Sequence, residues 1–511
     1  MKPIFLLAVG FAVLSRNAEA QTPALPAALT VYNQNFAVVR ETVPLTLKQG
    51  ANHVTFDRAT LHVEPDSVVL RDPTGKVALR ILEQSYRADT ASPGLMLSLY
   101  EGKEVDFLVR DQDGKEHRVR GKVIRSGYTP NLDAAQRYGN AFYQRQMLVS
   151  GGSPVGGTPI VEVDGQLRFS LPGEPVFPAL ADDAILRPTL TWQISSDRAS
   201  RVDAELGYIT GGLSWQAAYN LVSPEKGDSI DLVGWVTIDN QSGRTFEAAR
   251  VKLMAGDVSK LPPPGGQAEM AQGVMRMASM SAEQEVTEKA FDEFHLYSLP
   301  RAVTLRNRET KQVEFLRAPA VKATTVYVYN GAAVGGNRYR GWNEDTIRND
   351  RDYGTRSNPK IWVYREFKNT RENGLGIPLP QGRTRFYRQD SADGRIEFTG
   401  ENAIEHTPEG ETVRIYTGDA FDLVGERKRT DYVLSSRNDQ IDEAFEIKLR
   451  NRKKEPVEIR VVERLYRGPN WTLVQSSDPQ VKTDDRTIEF RVTLRPDEER
   501  VLTYRVRYDW K

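Results

Sequence analysis

The chain contains no cysteine, only five histidines, no surplus of either charge, and no long apolar run beyond its first twenty residues. Each absence removes a class of protein. Without cysteine there are no disulfides, no thiolate chemistry and no lipid-bearing cysteine of a bacterial lipoprotein. Lys plus Arg and Asp plus Glu both total 69 over 511 residues. Setting aside Lys2, Arg16 and Glu19 leaves 67 against 68, a net charge of −1. A nucleic-acid binder, or a protein held on an acidic membrane, would carry a strong basic excess instead. No later stretch approaches the roughly 20 apolar residues that a spanning helix needs. Helical periodicity is almost absent, and there is no coiled coil.

What is present begins with a targeting pattern. Lys2 gives a positive start, an eleven-residue apolar run extends from Ile4 to Leu14, and Ala18-Glu19-Ala20 supplies the small-x-small pattern of a cleavage site. This predicts a signal peptide over 1–20, a mature start at Gln21, and export to the periplasm or outer membrane of a bacterium, with no transmembrane segment after cleavage. The length predicts about three domains of ~150 residues each. At 39% hydrophobic and 27% charged, the composition supports several cores.

Period-two alternation dominates the chain beyond residue 20 and predicts an all-β, multidomain protein of β-sandwich modules, a small β-barrel-like segment and long irregular loops. Residues 21–92 read as an N-terminal β module through Val43/Leu45/Leu47 and Val77/Leu79/Ile81. Residues 93–180 read as a small barrel, with hairpin turns at Asp113-Gly114 and Asp164-Gly165 and a loop over 128–158. A central β domain over 185–427 carries insertions at 261–292 and 331–358, too long for ordinary hairpin loops. Residues 428–511 predict an immunoglobulin-like sandwich. Within it, Ile488–Leu494 and Leu502–Tyr508 read as a hairpin about Arg495-Pro496-Asp497-Glu498, and Trp471 as a core plug.

Chemistry is sparse. His53, His62, His117, His295 and His406 show no ligand spacing and no HExxH, so no metal site and no cofactor are predicted. Gly212-Leu213-Ser214-Trp215-Gln216 starts like a nucleophile elbow but ends on Gln216, and no helix pattern comes after it. Gly335-Gly336 has no phosphate-loop continuation, and Asp111-x-Asp113-Gly114 lacks the rest of a calcium loop. Two surfaces stand out as binding candidates. Tyr339, Trp342 and Tyr353 place aromatic rings in the second insertion, where exposed rings stack on sugars. Met270, Met275, Met277 and Met280 place adaptable thioethers in the first, a segment that would dock on a membrane partner.

Several stretches resemble the mucoidy-inhibitor-A-like proteins of the bacterial envelope, whose main domain is of unknown function. Leu29-Thr30-Val31-Tyr32-Asn33-Gln34-Asn35-Phe36 is similar to that family's opening. Ser214-Trp215-Gln216-Ala217-Ala218-Tyr219, Ile238-Asp239-Asn240-Gln241-Ser242-Gly243 and Tyr297-Ser298-Leu299-Pro300 resemble its central signature. Asn369 with Gly374-Leu375-Gly376-Ile377-Pro378-Leu379-Pro380-Gln381-Gly382 is the most specific piece, followed by His406-Thr407-Pro408 and Gly418-Asp419-Ala420-Phe421-Asp422. Together these cover most of 205–511. The resemblance implies a link to exopolysaccharide and supplies no catalytic residues. Longer members are expected to carry a coiled coil between the two modules, where this chain has its small β segment.

The reading is an exported, non-enzymatic envelope protein, a scaffold or binding and adhesion module whose partner is an envelope protein or polysaccharide. The alternatives are a carbohydrate-active hydrolase with a carboxylate pair among its loops, or a periplasmic subunit docking through its methionine-rich segment.

Overall fold

In the computed structural model, strand makes up 61% of the chain and helix 5%, so alternation translates directly into an all-β architecture of several separate sheets. The structure describes residues 26–128, 158–181, 183–225, 227–256, 258–260, 287–291, 294–333, 341–437 and 439–510. No helix among them is long and apolar enough to cross a membrane.

The largest core draws on both ends of the first four hundred residues. Ala28–Tyr32 pairs antiparallel with Phe36–Leu47 and parallel with Phe246–Ala255, at the centre of an eight-stranded sheet. Residues of 21–92 and of 185–427 therefore share one hydrogen-bonded sheet and one core. A five-stranded sheet lies across it, in the order Glu309–Lys322, Ser229–Asn240, Leu213–Ser223, Gly382–Gln389, Ile396–Ile404. Trp215, Tyr297, Phe315 and Tyr219 meet between these sheets edge to face, with centroids 5.9 to 6.5 Å apart. Trp192, fully buried, belongs to a third, three-stranded sheet of the same core and donates its indole N–H to Gln84 at 2.7 Å.

Residues 93–128 and 158–180 form a satellite with its own small core around Phe107 and Val161. Its five strands make an open sheet, in the order Glu174–Val176, Glu104–Arg110, Glu116–Arg125, Ile160–Val163, Gln166–Arg168. The expected barrel is not closed, because Glu174–Val176 and Gln166–Arg168 remain unpaired with each other at the two edges. Both Asp-Gly turns sit where expected. Asp164 and Gly165 have φ of 52° and 74°, the left-handed pair of a two-residue hairpin joining Val163 to Gln166.

The second core belongs to a nine-stranded sheet that folds over on itself. Phe445, Leu449 and Tyr504 face Ile459, Phe490 and Leu494 across it. Thr487–Leu494 pairs with Val457–Arg464, whereas Glu499–Asp509 pairs with Gln440–Asn451. The expected C-terminal hairpin is thus a crossing between two layers, because the two dry faces meet across the core and not side by side. The strand Thr412–Leu434 is 23 residues long and passes residue 428 without interruption. Its Val413 and Ile415 lie in the first core and its Leu423 in the second, so 428 falls inside one strand that ties both cores together. Trp471 is half-buried, with its indole N–H donating to the Asp485 carbonyl at 2.8 Å, so it closes a sheet edge and does not plug the centre.

Three fully buried asparagines lock the crossings. Asn240 donates to the carbonyls of Arg244, Leu305 and Arg306 at 2.8 to 3.1 Å and accepts from Ser242. Asn369 donates to Ile377, Thr407 and Pro408 and accepts from the Gly376 amide. Asn451 donates to Glu455 and Arg495 and accepts from Lys453. Each supplies several hydrogen bonds to buried backbone carbonyls at the ends of strands and in the loops beside them.

Candidate functional site

Lys360–Lys368 alternates between two environments. Ile361 and Phe367 point into the second and first cores, leaving Trp362, Tyr364 and Glu366 on the opposite, outer face. Thr412–Leu434 runs antiparallel beside it, placing Tyr416 against Tyr364, Arg414 against Glu366 and Asp419 against Trp362. On the other flank Val326 and Val328, both buried, pair with Tyr364 and Trp362. The result is a row of half-buried rings flanked on the same face by buried valines.

Polar groups fix the rim. Tyr364 and Tyr416 lie 5.7 Å apart at 60°, and the Arg414 guanidinium sits 5.9 Å over the Tyr364 ring. Glu366 pairs with Arg414 and, at 3.2 Å, with Arg460. Asp419 accepts from the Tyr416 hydroxyl at 2.8 Å and pairs with Lys360 at 2.6 Å. Lys360 and Tyr416 hold the Asp419 carboxyl below its ordinary range. Partial burial, reinforced by Asp419, pushes the Tyr416 phenol up to about 12. A bulge lets Thr412–Leu434 shift register between its pairings with Lys360 and Trp362, and Phe421 projects beside it, 96% exposed. Flat rings bordered by anchored donors and acceptors suit the apolar face and hydroxyls of a sugar.

A second constellation is wholly internal. Arg427 and Glu463 pair at 2.9 Å with no exposed side-chain surface, and Arg427 lies 3.9 Å over the Phe445 ring. Arg467 pairs with Glu443 at 3.0 Å and donates to the carbonyls of Ile347, Asp350, Arg351 and Tyr353 at 2.8 to 3.2 Å. Arg427 adds the carbonyl of Gly354 at 2.8 Å. Burial opposes the Arg427 charge, but Glu463 and the neighbouring tyrosines outweigh it and raise its proton affinity. These arginines bolt the segment around the short helix Glu344–Asn349 onto the second core. They are structural. Sequence reasoning missed them, although a signal exists: Glu443, Glu463 and Arg427 occupy the same alternation as Phe445, Val461 and Leu423.

The aromatic candidates of the second insertion are corrected by this packing. Tyr353 is buried, stacked 5.8 Å from a half-buried Trp342 and edge-to-face 5.3 Å from Tyr466, because the arginines draw its segment inward. The Tyr353 ring is therefore closed to a ligand. Tyr339 and Met270, Met275, Met277 and Met280 lie outside the described residues. Among the described residues, no three His, Asp or Glu side chains come together to hold a metal.

Residues 204–511, more than half of the chain, match the family described as Domain of unknown function (DUF4139). The matched region contains the outer ring face, both buried ion pairs of the second core and all three locking asparagines. No curated protein matches the chain.

Proposed function

From the premise that the chain belongs to the DUF4139 family, we propose that it is an exported, non-enzymatic protein of the bacterial envelope that binds polysaccharide on the outer face around Trp362, Tyr364 and Tyr416. The observation that carries this reading is the row of half-buried rings, flanked by Val326 and Val328 and rimmed by the Glu366 and Asp419 ion pairs. The leader-like N-terminus supports export. Resemblance to the mucoidy-inhibitor-A-like proteins supports a link to exopolysaccharide. A binding role without hydrolysis agrees with the carboxylates on this face, which are tied in ion pairs, with Asp419 held toward permanent ionisation. A general acid needs the opposite shift.

The test is retention of the mature protein, starting at Gln21, in gels cast with envelope polysaccharide from the source cells. Trp362→Ala and Tyr364→Ala are expected to abolish retention while circular dichroism is unchanged. Retention that survives both substitutions would place the binding face elsewhere. Release of reducing ends from the polysaccharide would favour the hydrolase reading.

A further inference from the structure

The inward face of Lys360–Lys368 holds one residue that the cores do not explain. Arg365 lies between Ile361, which enters the second core, and Phe367, which enters the first, so it sits at the seam between them. It is 9% exposed, and its Nη1 is enclosed with no hydrogen-bond partner. The other deeply placed arginines obey a different rule. Arg427 has Glu463, Arg467 has Glu443 and Arg244 has Glu41, each completed by backbone carbonyls. A buried guanidinium normally demands such a set, because leaving its donors unmet forfeits the hydration it gave up.

The charge around Arg365 deepens the deficit. Burial and then the like charge of Arg388 lower its proton affinity, and Asp228 and Tyr327 offset this only in part. Arg388 stands at the exposed end of Gly382–Gln389, anchored by the Glu225 carbonyl. Tyr327 already accepts from Lys453 at 2.7 Å. Arg365 thus carries an enclosed, unpartnered Nη1, and the charges that act on it are the Arg388 guanidinium and, against both, the Asp228 carboxylate.

We infer that Arg365 and Arg388 form an oxyanion site at the seam of the two cores, taking a compact carboxylate or phosphate whose paired oxygens engage the Arg365 fork. The site lies on the opposite face of the strand from Trp362 and Tyr364, so it stands or falls independently of polysaccharide binding there. An occupant would bridge the two cores, because Lys360–Lys368 belongs to both and Gly382–Gln389 to the first.

The experiment tracks the thermal midpoint of the whole mature protein against inorganic phosphate, D-glucuronate and chloride at matched ionic strength. A saturable rise is expected with phosphate or glucuronate and none with chloride, and the more potent of the two identifies the source as free phosphate or an acidic sugar. Arg365→Met is expected to abolish the rise, and in chloride alone to melt no lower than the wild type, since it removes an unmet buried charge. Arg365→Lys should not restore the response, because an ammonium lacks the fork. Arg388→Gln, on an exposed side chain, should shift the half-saturating concentration several-fold upward and keeps the test decisive if Arg365→Met fails to fold. No saturable rise with either oxyanion, or an equal rise in Arg365→Met or Arg388→Gln, overturns the inference.

Discussion

The two large cores solve the same problem with different chemistry. The first is apolar almost throughout, with Glu41 and Arg244 paired toward its rim. The second holds Arg427, Glu463, Arg467 and Glu443 with no exposed side-chain surface. The difference comes from the backbone each core has to cover. Strands line most of the first, and their ladders satisfy most of its backbone, leaving single side chains such as Asn240, Asn369 and Arg244 to reach scattered loop carbonyls. The second also takes in 347–354, a non-strand segment whose carbonyls have no ladder partners, and arginine is the side chain with enough directed donors to meet them. Each arginine then needs a carboxylate to neutralise it. Buried charge here is a consequence of burying loop backbone.

The sharpest way to break this comparison is Arg467→Met. It leaves Glu443 with Arg429 alone, at 3.0 Å, and removes the Arg467 donors from the carbonyls of Ile347, Asp350, Arg351 and Tyr353, so a loss of about 3–5 kcal/mol is expected in urea unfolding, with amide exchange accelerating across 347–354 first. The double variant Arg467→Met with Glu443→Gln should recover little, because the carbonyls stay unmet. In the first core the matching double, Arg244→Met with Glu41→Gln, should recover a larger share of what Arg244→Met loses, because there the arginine meets one carbonyl, that of Arg58, and not four. Equal recovery in both cores would mean that the arginines serve the carboxylates and not the loop.

The locking asparagines should behave alike in both cores, which makes them the control. Asn240→Ala and Asn451→Ala each remove bonds to buried carbonyls, and each is expected to cost about 1–3 kcal/mol per molecule by denaturant titration. A large difference between them would show that the surrounding core, and not the crossing itself, sets the cost. Next in size is Trp471→Ala. Its ring is only half covered, so the loss should fall to about 1–2 kcal/mol, below the 3–5 typical of a fully buried aromatic. A greater loss would make this sheet edge part of the second core proper.

How much of this was legible in the sequence depends on which property alternation encodes. It tells which face of a strand is dry, and so it revealed the strands, the turn at Asp164-Gly165 and most core positions. It does not tell which strand lies alongside. That is why Ile488–Leu494 and Leu502–Tyr508 read as a hairpin when they occupy opposite layers. The same silence hid the pairing of Ala28–Tyr32 with Phe246–Ala255 across more than two hundred residues. The short helix Pro93–Leu99 was invisible to periodicity, although Ser92 caps it by accepting from the Leu95 amide and Pro93 stands at its first turn. Of the outer ring face, Trp362, Tyr364 and Tyr416 looked like ordinary strand residues, because only register brings them together. Tyr353, which composition did single out, turned inward, drawn by an arginine more than a hundred residues away in sequence.

The smallest expected effect tests whether burial, and not charge pairing as such, gives the second core its dependence on ions. Asp419 pairs with Lys360 and Tyr416 on the outer face of the same sheet, but in water. Its carboxyl is held below the ordinary value of 3.8, so its contribution is complete above that value and fades as pH falls through the lowered one. The Tyr416 phenol is raised from 10 to about 12, so its contribution is complete below 10 and fades as pH rises toward 12. Asp419→Asn should therefore lower stability by less than about 1 kcal/mol across the neutral range, since solvent screens an exposed pair. The gap from wild type should narrow at both extremes, below pH 4 and above pH 10, in thermal midpoints recorded across pH. Absorbance near 295 nm should show one phenol titrating earlier in the variant. A loss as large as that of Arg467→Met would refute the distinction, because exposed and buried pairs would then weigh the same.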